Sequence, residues 1–207
     1  MDQEISGYLD KITSTIKNLD KTKISHLVEL ILSIYRNDGT IFVFGNGGSA
    51  ATAGHFCNDL LKGLSHGGRN KRFKAMCLNE NIATMMSIAN DSSYEEIFTE
   101  QLKNFLTPND LVIAISGSGN SKNIIHALEY SNSINAKTVA LCGYDGGNAK
   151  KLANLSIHVN INDMEASEDL HIIIFHTIKR VIENHLCLGK IINNPAPQER
   201  VLLKLPT

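Results

Sequence analysis

The chain has 207 residues, 43% of them apolar and 20% charged, with 20 basic and 21 acidic side chains and a formal net charge of −1. That length suits one domain with at most an extension, and the ordinary apolar share excludes intrinsic disorder. The charge balance argues against a nucleic-acid or anionic-membrane partner, and no apolar run approaches the roughly 20 residues that span a bilayer.

The opening stretch is polar and acidic where a secretory leader is basic and then apolar, which predicts a cytoplasmic protein. Ile5, Leu9, Ile12 and Ile16 recur at helical spacing, and Ile24, Leu27, Leu30, Ile31 and Ile34 repeat the pattern, predicting two N-terminal helices. The period then changes. Residues 40–44 read as a strand that runs into Gly45-Asn46-Gly47-Gly48-Ser49, and residues 50–63 predict a helix. The same order returns with a strand at 111–115, then Ser116-Gly117-Ser118-Gly119-Asn120-Ser121, then a helix over 122–132.

Further strands are predicted at 74–78, 137–141 and 155–160, and a last long helix over 164–186. Strands apolar on both faces, alternating with helices, indicate a parallel sheet covered on both sides. The expected fold is α/β, a three-layer αβα sandwich on five parallel strands. It forms one domain over residues 1–187, followed by a tail over 188–207. In the tail, Asn193 to Pro197 reads as a turn, and Val201, Leu202 and Leu203 call for cover from a neighbouring subunit. Cys57, Cys77, Cys142 and Cys187 form no C-x-x-C pair, so buried thiols are expected rather than disulfides or a zinc knot.

Both Gly/Ser loops fall at the carboxyl ends of strands, where an open α/β sheet binds its ligands. Each enters a helix N-terminus, whose unpaired N–H groups and dipole favour an anion. Ser116, Ser118 and Ser121 add three hydroxyls, and the glycines allow close backbone approach. No lysine follows as in a P-loop and no G-x-G-x-x-G is present, which argues against ATP and NAD chemistry. A tight turn alone would explain one such loop; two in one small domain point to a monophosphate site.

His55 and Asp59, at i and i+4, share one face of the helix after the first loop. Glu168 and His176 lie eight positions apart on the last helix, about 80° apart around its axis, so both can border one cleft. Two histidines and two carboxylates suit a divalent metal such as zinc, or a general acid–base pair. A solvated helix face is the plainer reading of that spacing. His171 is expected to be a satisfied structural histidine, and His66, His126, His158 and His185 to lie on the surface. Asn90-Asp91 before Ser92 reads as a capping or turn signal, with a sugar contact as the sharper reading.

These residues carry a resemblance. The segments 42–63 (FVFGNGGSAATAGHFCNDLLKG), 87–102, 110–128, 138–147 and 168–183 (EDLHIIIFHTIKRVIE) resemble the SIS-domain (sugar isomerase) family, and within it the phosphoheptose isomerase group. The resemblance implies an isomerase that converts sedoheptulose 7-phosphate to D-glycero-D-manno-heptose 7-phosphate for surface polysaccharides. It also implies a homotetramer with sites between subunits, N-terminal helices packed between them, and one zinc per site. It places the phosphate-binding serines on Ser49, Ser116, Ser118 and Ser121, within loops that also supply Gly47, Gly48 and Gly117. Asn46 and Asp91 become sugar contacts, and Glu168 a substrate contact. The implied metal ligands are His55, Asp59, Glu168 and His176, with His176, Asp59 and Glu168 also catalytic.

Three positions depart from the family pattern. Asp59 stands where the family has Glu, Glu168 where it has Gln, and Lys62 near a missing Arg. A shortened carboxylate reaches less far, and Glu168 could supply the charge instead. Rival readings are a non-catalytic SIS protein, of the type that associates with a DNA-replication initiator, and an isomerase for another phosphosugar. Retention of His55, Asp59, Glu168 and His176 favours an enzyme.

Overall fold

The structure is a computed structural model that describes residues 1–65 and 71–192. His66, the expected turn at 193–197 and the apolar residues 201–203 lie outside the described residues. The two N-terminal helices are α1 (Asp2–Lys17) and α2 (Lys21–Arg36). Between them lies Asp20, whose carboxylate accepts the Thr22 and Lys23 N–H groups at 3.1 Å each and caps α2. No residue of α1 is buried, although Ile5 and Leu9 are apolar; Tyr8 and Lys11 tether it to Asp169 and Asp163 at 2.7 Å each.

The sheet comprises β1 (Thr40–Gly45), β2 (Lys74–Cys77), β3 (Leu111–Ser116), β4 (Lys137–Cys142) and β5 (Leu155–His158), all parallel, in the order β2-β1-β3-β4-β5. Side-chain alternation divides the core between its faces. Ile41, Val43, Ile113 and Leu141 pack with α2, α3 (Gly48–Leu61) and α8 (Met164–Ile192). Phe42, Phe44, Val112 and Ala140 pack against the opposite layer, which includes α5 (Thr99–Phe105), α6 (Lys122–Ser133) and α7 (Gly147–Leu152), with α4 (Ile82–Asp91) at its margin. This is the expected five-stranded three-layer sandwich.

Boundaries differ locally. The fifth strand ends at His158 because Ile161 N–H turns back onto the Val159 carbonyl at 2.8 Å, peeling the chain off the ladder. The helix α3 starts two residues early, since Gly47 takes φ 54° and serves as its N-cap. Cys57, Cys77 and Cys142 are buried as expected, whereas Cys187 is exposed on α8.

His171 is fully buried on α8 with neither ring nitrogen at full hydrogen-bond geometry, and the Cys142 backbone is the one polar group that favours its charged form. Desolvation pushes its pKa down to about 4. Between that value and the ordinary 6.5 the unfolded chain binds a proton that the folded chain refuses, so stability falls as pH drops through this window. Across it the loss amounts to about 3 kcal/mol. Urea melts at pH 7 and pH 4.5 should show this loss in the wild type and a much flatter response in His171→Leu. Equal slopes in the two proteins would contradict the assignment.

Candidate active site

Strands β1 and β3 are neighbours, yet the chain leaves β1 for one face of the sheet, through α3, and β3 for the other, through α6. That reversal opens a crevice at their carboxyl ends. Both loops meet there. Asn46, Gly47, Gly48 and Ser49 from the first, and Ser116, Gly117, Ser118 and Ser121 from the second, line one cavity of about 250 Å³. The helix α8 closes its side with Met164 and Glu168.

The second loop is held from within and from behind. Ser116 Oγ accepts the Gly119 N–H at 3.1 Å, Ser118 Oγ accepts the Asn120 N–H at 3.2 Å, and Gly117 O accepts the Gly143 N–H at 2.8 Å. At Gly119 the backbone takes φ +66°, and a β-carbon would run into the Gly146 carbonyl oxygen. Glu168 packs on Gly48: a β-carbon there would stand 2.5 Å from Oε2 and 2.6 Å from Oε1. One carboxylate thus sits at the N-terminus of α3, where the helix dipole stabilises negative charge. Asp91 lies elsewhere, exposed at the last residue of α4 and accepting from Asn90 Nδ2 at 2.8 Å; it does not line this cavity.

Further along the same two helices, Phe56 of α3 stacks on Phe175 of α8 with ring centroids 4.1 Å apart, both rings fully buried. Their chain neighbours point outward and meet. His55 Nε2 and His176 Nε2 are 3.0 Å apart, and each lies 3.8–3.9 Å from Asp59 Oδ2. Both imidazoles are half exposed, while Asp59 Oδ2 is buried without a hydrogen-bond partner. An orphaned carboxylate oxygen is costly unless a cation or proton reaches it.

Among the described residues, His55, Asp59 and His176 form the one group whose donor atoms lie within 4.8 Å of one another. Bonds of about 2 Å in a tetrahedral site place donors about 3.3 Å apart, so the trio fits a divalent cation with nitrogen and oxygen preferences. Glu168, expected as a fourth ligand, stands outside that trio and at the phosphate end. The reason is helical geometry: eight residues separate it from His176, a rise of about 12 Å.

The other histidines divide. His185 is exposed, with Nδ1 near the Val181 carbonyl. His126 and His158, expected at the surface, are half-buried and engaged, with Glu96 at 2.7 Å and with Lys150 and the Tyr144 carbonyl respectively.

Residues 7–143 match the SIS domain family. A phosphoheptose isomerase from Helicobacter pylori is 34% identical over 187 residues, covering 88% of this chain and 94% of its own. A probable phosphoheptose isomerase from Thermoplasma volcanium is 33% identical over 182 residues, covering 88% and 92%. This chain belongs to the phosphoheptose isomerase family of SIS-domain proteins. The solved structure of a phosphoheptose isomerase from Francisella tularensis shares its fold, with a TM-score of 0.81 at 24% identity over 88% of this chain and 96% of that one.

Three residues of this SIS site escaped the sequence. Met164 narrows the cavity against Gly117, and Tyr94 and Asn123 hold Asn46. The one available signal was an asparagine on the buried face of α6, two residues past Ser121.

The backbone constraint at Gly119 yields a prediction. Gly119→Ala forces a side chain into the left-handed region and against a carbonyl, costing about 2–4 kcal/mol in urea unfolding. It should also weaken inorganic phosphate binding measured by calorimetry. Wild-type stability and affinity would contradict this account of the loop.

Proposed function

We propose that this protein interconverts sedoheptulose 7-phosphate and D-glycero-D-manno-heptose 7-phosphate through a cis-enediol, supplying heptose for surface polysaccharides. The observation that carries the reading is the joint placement of two features on α3 and α8. A cavity of hydroxyls and helix N–H groups lies at their N-terminal ends, and a His–Asp–His cluster lies further down. On α3 the separation from Gly48 to His55 is seven residues, about 10 Å of rise, which suits a long open-chain sugar phosphate better than a triose.

In this reading Ser49, Ser116, Ser118 and Ser121 hold the phosphate, Gly47, Gly48 and Gly117 allow close backbone approach, and the Asn46 side chain stands at the mouth. Asp91 reaches sugar hydroxyls only if supplied across a subunit boundary. His55, Asp59 and His176 hold one zinc ion, supported by the orphaned Asp59 Oδ2 and by the donor set. When bound, that ion would polarise a substrate oxygen and stabilise enediolate charge. With Asp59 committed there, Glu168 is the carboxylate left to act as base. It removes the proton from C1 of the ketose and returns it to C2, while His176, when it is not committed to a metal, moves a proton from O1 to O2.

A homotetramer with sites between subunits is supported by the apolar residues that α1 leaves uncovered and by the exposed imidazoles. No described helix is long and apolar enough to cross a membrane. The cytoplasm, where sugar phosphates are made, is the proposed setting. A purely binding role, of the replication-initiator type, is not favoured, because the relatives are isomerases and the trio is intact.

Turnover of sedoheptulose 7-phosphate, followed by product chromatography, tests the reading directly, and absence of turnover with zinc supplied would refute it. His176→Gln should lower kcat by about 10²–10⁴ without altering the melting profile. Glu168→Gln should do the same while still binding one zinc per chain by elemental analysis. Asp59→Asn and His176→Gln, each losing a ligand, should also weaken zinc at least about tenfold. An active Glu168→Gln enzyme would transfer the base to Asp59.

A further inference from the structure

Asn46 sits at the mouth of the phosphate cavity, and its side chain is almost fully committed to the protein. Its Nδ2 donates to Asn123 Oδ1 at 3.0 Å, and its Oδ1 accepts from Asn123 Nδ2 at 2.9 Å. The same Oδ1 accepts from the Tyr94 hydroxyl at 3.1 Å. An amide oxygen has two lone pairs and an amide nitrogen two protons. Both acceptor sites of Asn46 are therefore occupied, and one N–H is left.

The orientation is anchored, not arbitrary. Asn123 is 2% exposed on α6, and its Oδ1 also accepts the backbone N–H of Ile124 at 3.0 Å. A backbone N–H can only donate, so it fixes which end of the Asn123 amide is oxygen, and the reciprocal pair then fixes Asn46. Tyr94 is held as well. It opens a short 3₁₀ turn (Tyr94–Glu96) whose next two residues pair with α6, Glu95 with Lys122 and Glu96 with His126, each at 2.7 Å.

We propose that Asn123, aided by Tyr94, is a positioning residue that turns the Asn46 amide so that it meets the ligand only as a hydrogen-bond donor. Asn46 then belongs to the phosphoryl cradle and is not a partner for sugar hydroxyl protons. A phosphate dianion offers acceptors alone, and the cavity around Asn46 presents serine hydroxyls and helix N–H groups, which are donors of the same kind. Both loops, carried by β1 and β3, are tied together by this amide pair, so the cradle is set before the ligand arrives. The inference rests on the proposed isomerase reading for its substrate, but its main readout does not need turnover.

The experiment measures inorganic phosphate affinity by calorimetry, and kcat and KM with sedoheptulose 7-phosphate, for the wild type, Asn123→Asp, Tyr94→Phe and the double variant. Asn123→Asp sets a carboxylate oxygen against Asn46 Oδ1, so phosphate affinity should fall about tenfold or more. KM should rise in parallel, with any fall in kcat no larger than the loss of phosphate affinity. Tyr94→Phe, at an exposed side chain, should shift both constants about two- to threefold the same way. The double variant should be no worse than Asn123→Asp, because both act through one amide.

Unchanged phosphate affinity in a folded Asn123→Asp protein would overturn the proposal. So would a fall in kcat with phosphate affinity intact, which would put Asn46 on the sugar. If Asn123→Asp does not fold, unchanged phosphate affinity in Tyr94→Phe overturns it instead. A wild type that binds phosphate and turns over no sugar would refute the isomerase reading and leave the phosphate comparison to decide this one.

Discussion

The stacked, fully buried pair Phe56–Phe175 is the contact on which the site depends. It joins α3 to α8 side by side, and each ring has a histidine as its immediate chain neighbour. Because consecutive helical residues point about 100° apart, a ring aimed at the core leaves its neighbour aimed at the seam between the helices. His55 and His176, 121 residues apart in the chain, therefore meet at 3.0 Å. Leu60 and Ile178 extend the same seam in the core, so the register of the two helices is set by burial. Electrostatics alone would not hold two half-exposed imidazoles and a carboxylate in that array.

At the other end of the same helices the logic is polar. The cavity between β1 and β3 is walled by hydroxyls, helix N-termini and an amide whose acceptor sites are filled, all of them suited to an anion. Glu168 is the exception, a carboxylate beside an anion cradle. It stands on Gly48 at the phosphate end, with the histidine cluster further along the same two helices. Negative charge there weakens phosphate affinity, a cost that the proposed chemistry would offset in the transition state.

Much of this was legible in the sequence because its signals are local. A strand followed by Gly-Asn-Gly-Gly-Ser, and another followed by Ser-Gly-Ser-Gly-Asn-Ser, give the loops their place without knowledge of packing. The i, i+4 spacing of His55 and Asp59 is equally local. His176 is different: its eight-residue spacing to Glu168 made it a candidate, but its partnership with His55 and Asp59 needs the packing of α3 on α8, which no spacing encodes. The same spacing argument counted Glu168 among the metal ligands, whereas the pitch of α8 carries it to the phosphate end. The amide pair Asn46–Asn123 left no trace, since two asparagines 77 residues apart look like any others until the loops close. His171 looked satisfied because histidine in a buried helix usually is.

In the proposed reaction one ligand is gripped by its phosphate at the loops while its far end reaches the His–Asp–His cluster. Comparing kcat/KM for sedoheptulose 7-phosphate with that for unphosphorylated sedoheptulose tests it most directly. Without the phosphate, kcat/KM should fall at least about 10³-fold, in kcat as well as KM, since remote binding energy positions the reacting carbons. Comparable efficiency on the two sugars would show that the cradle and the cluster do not act on one molecule.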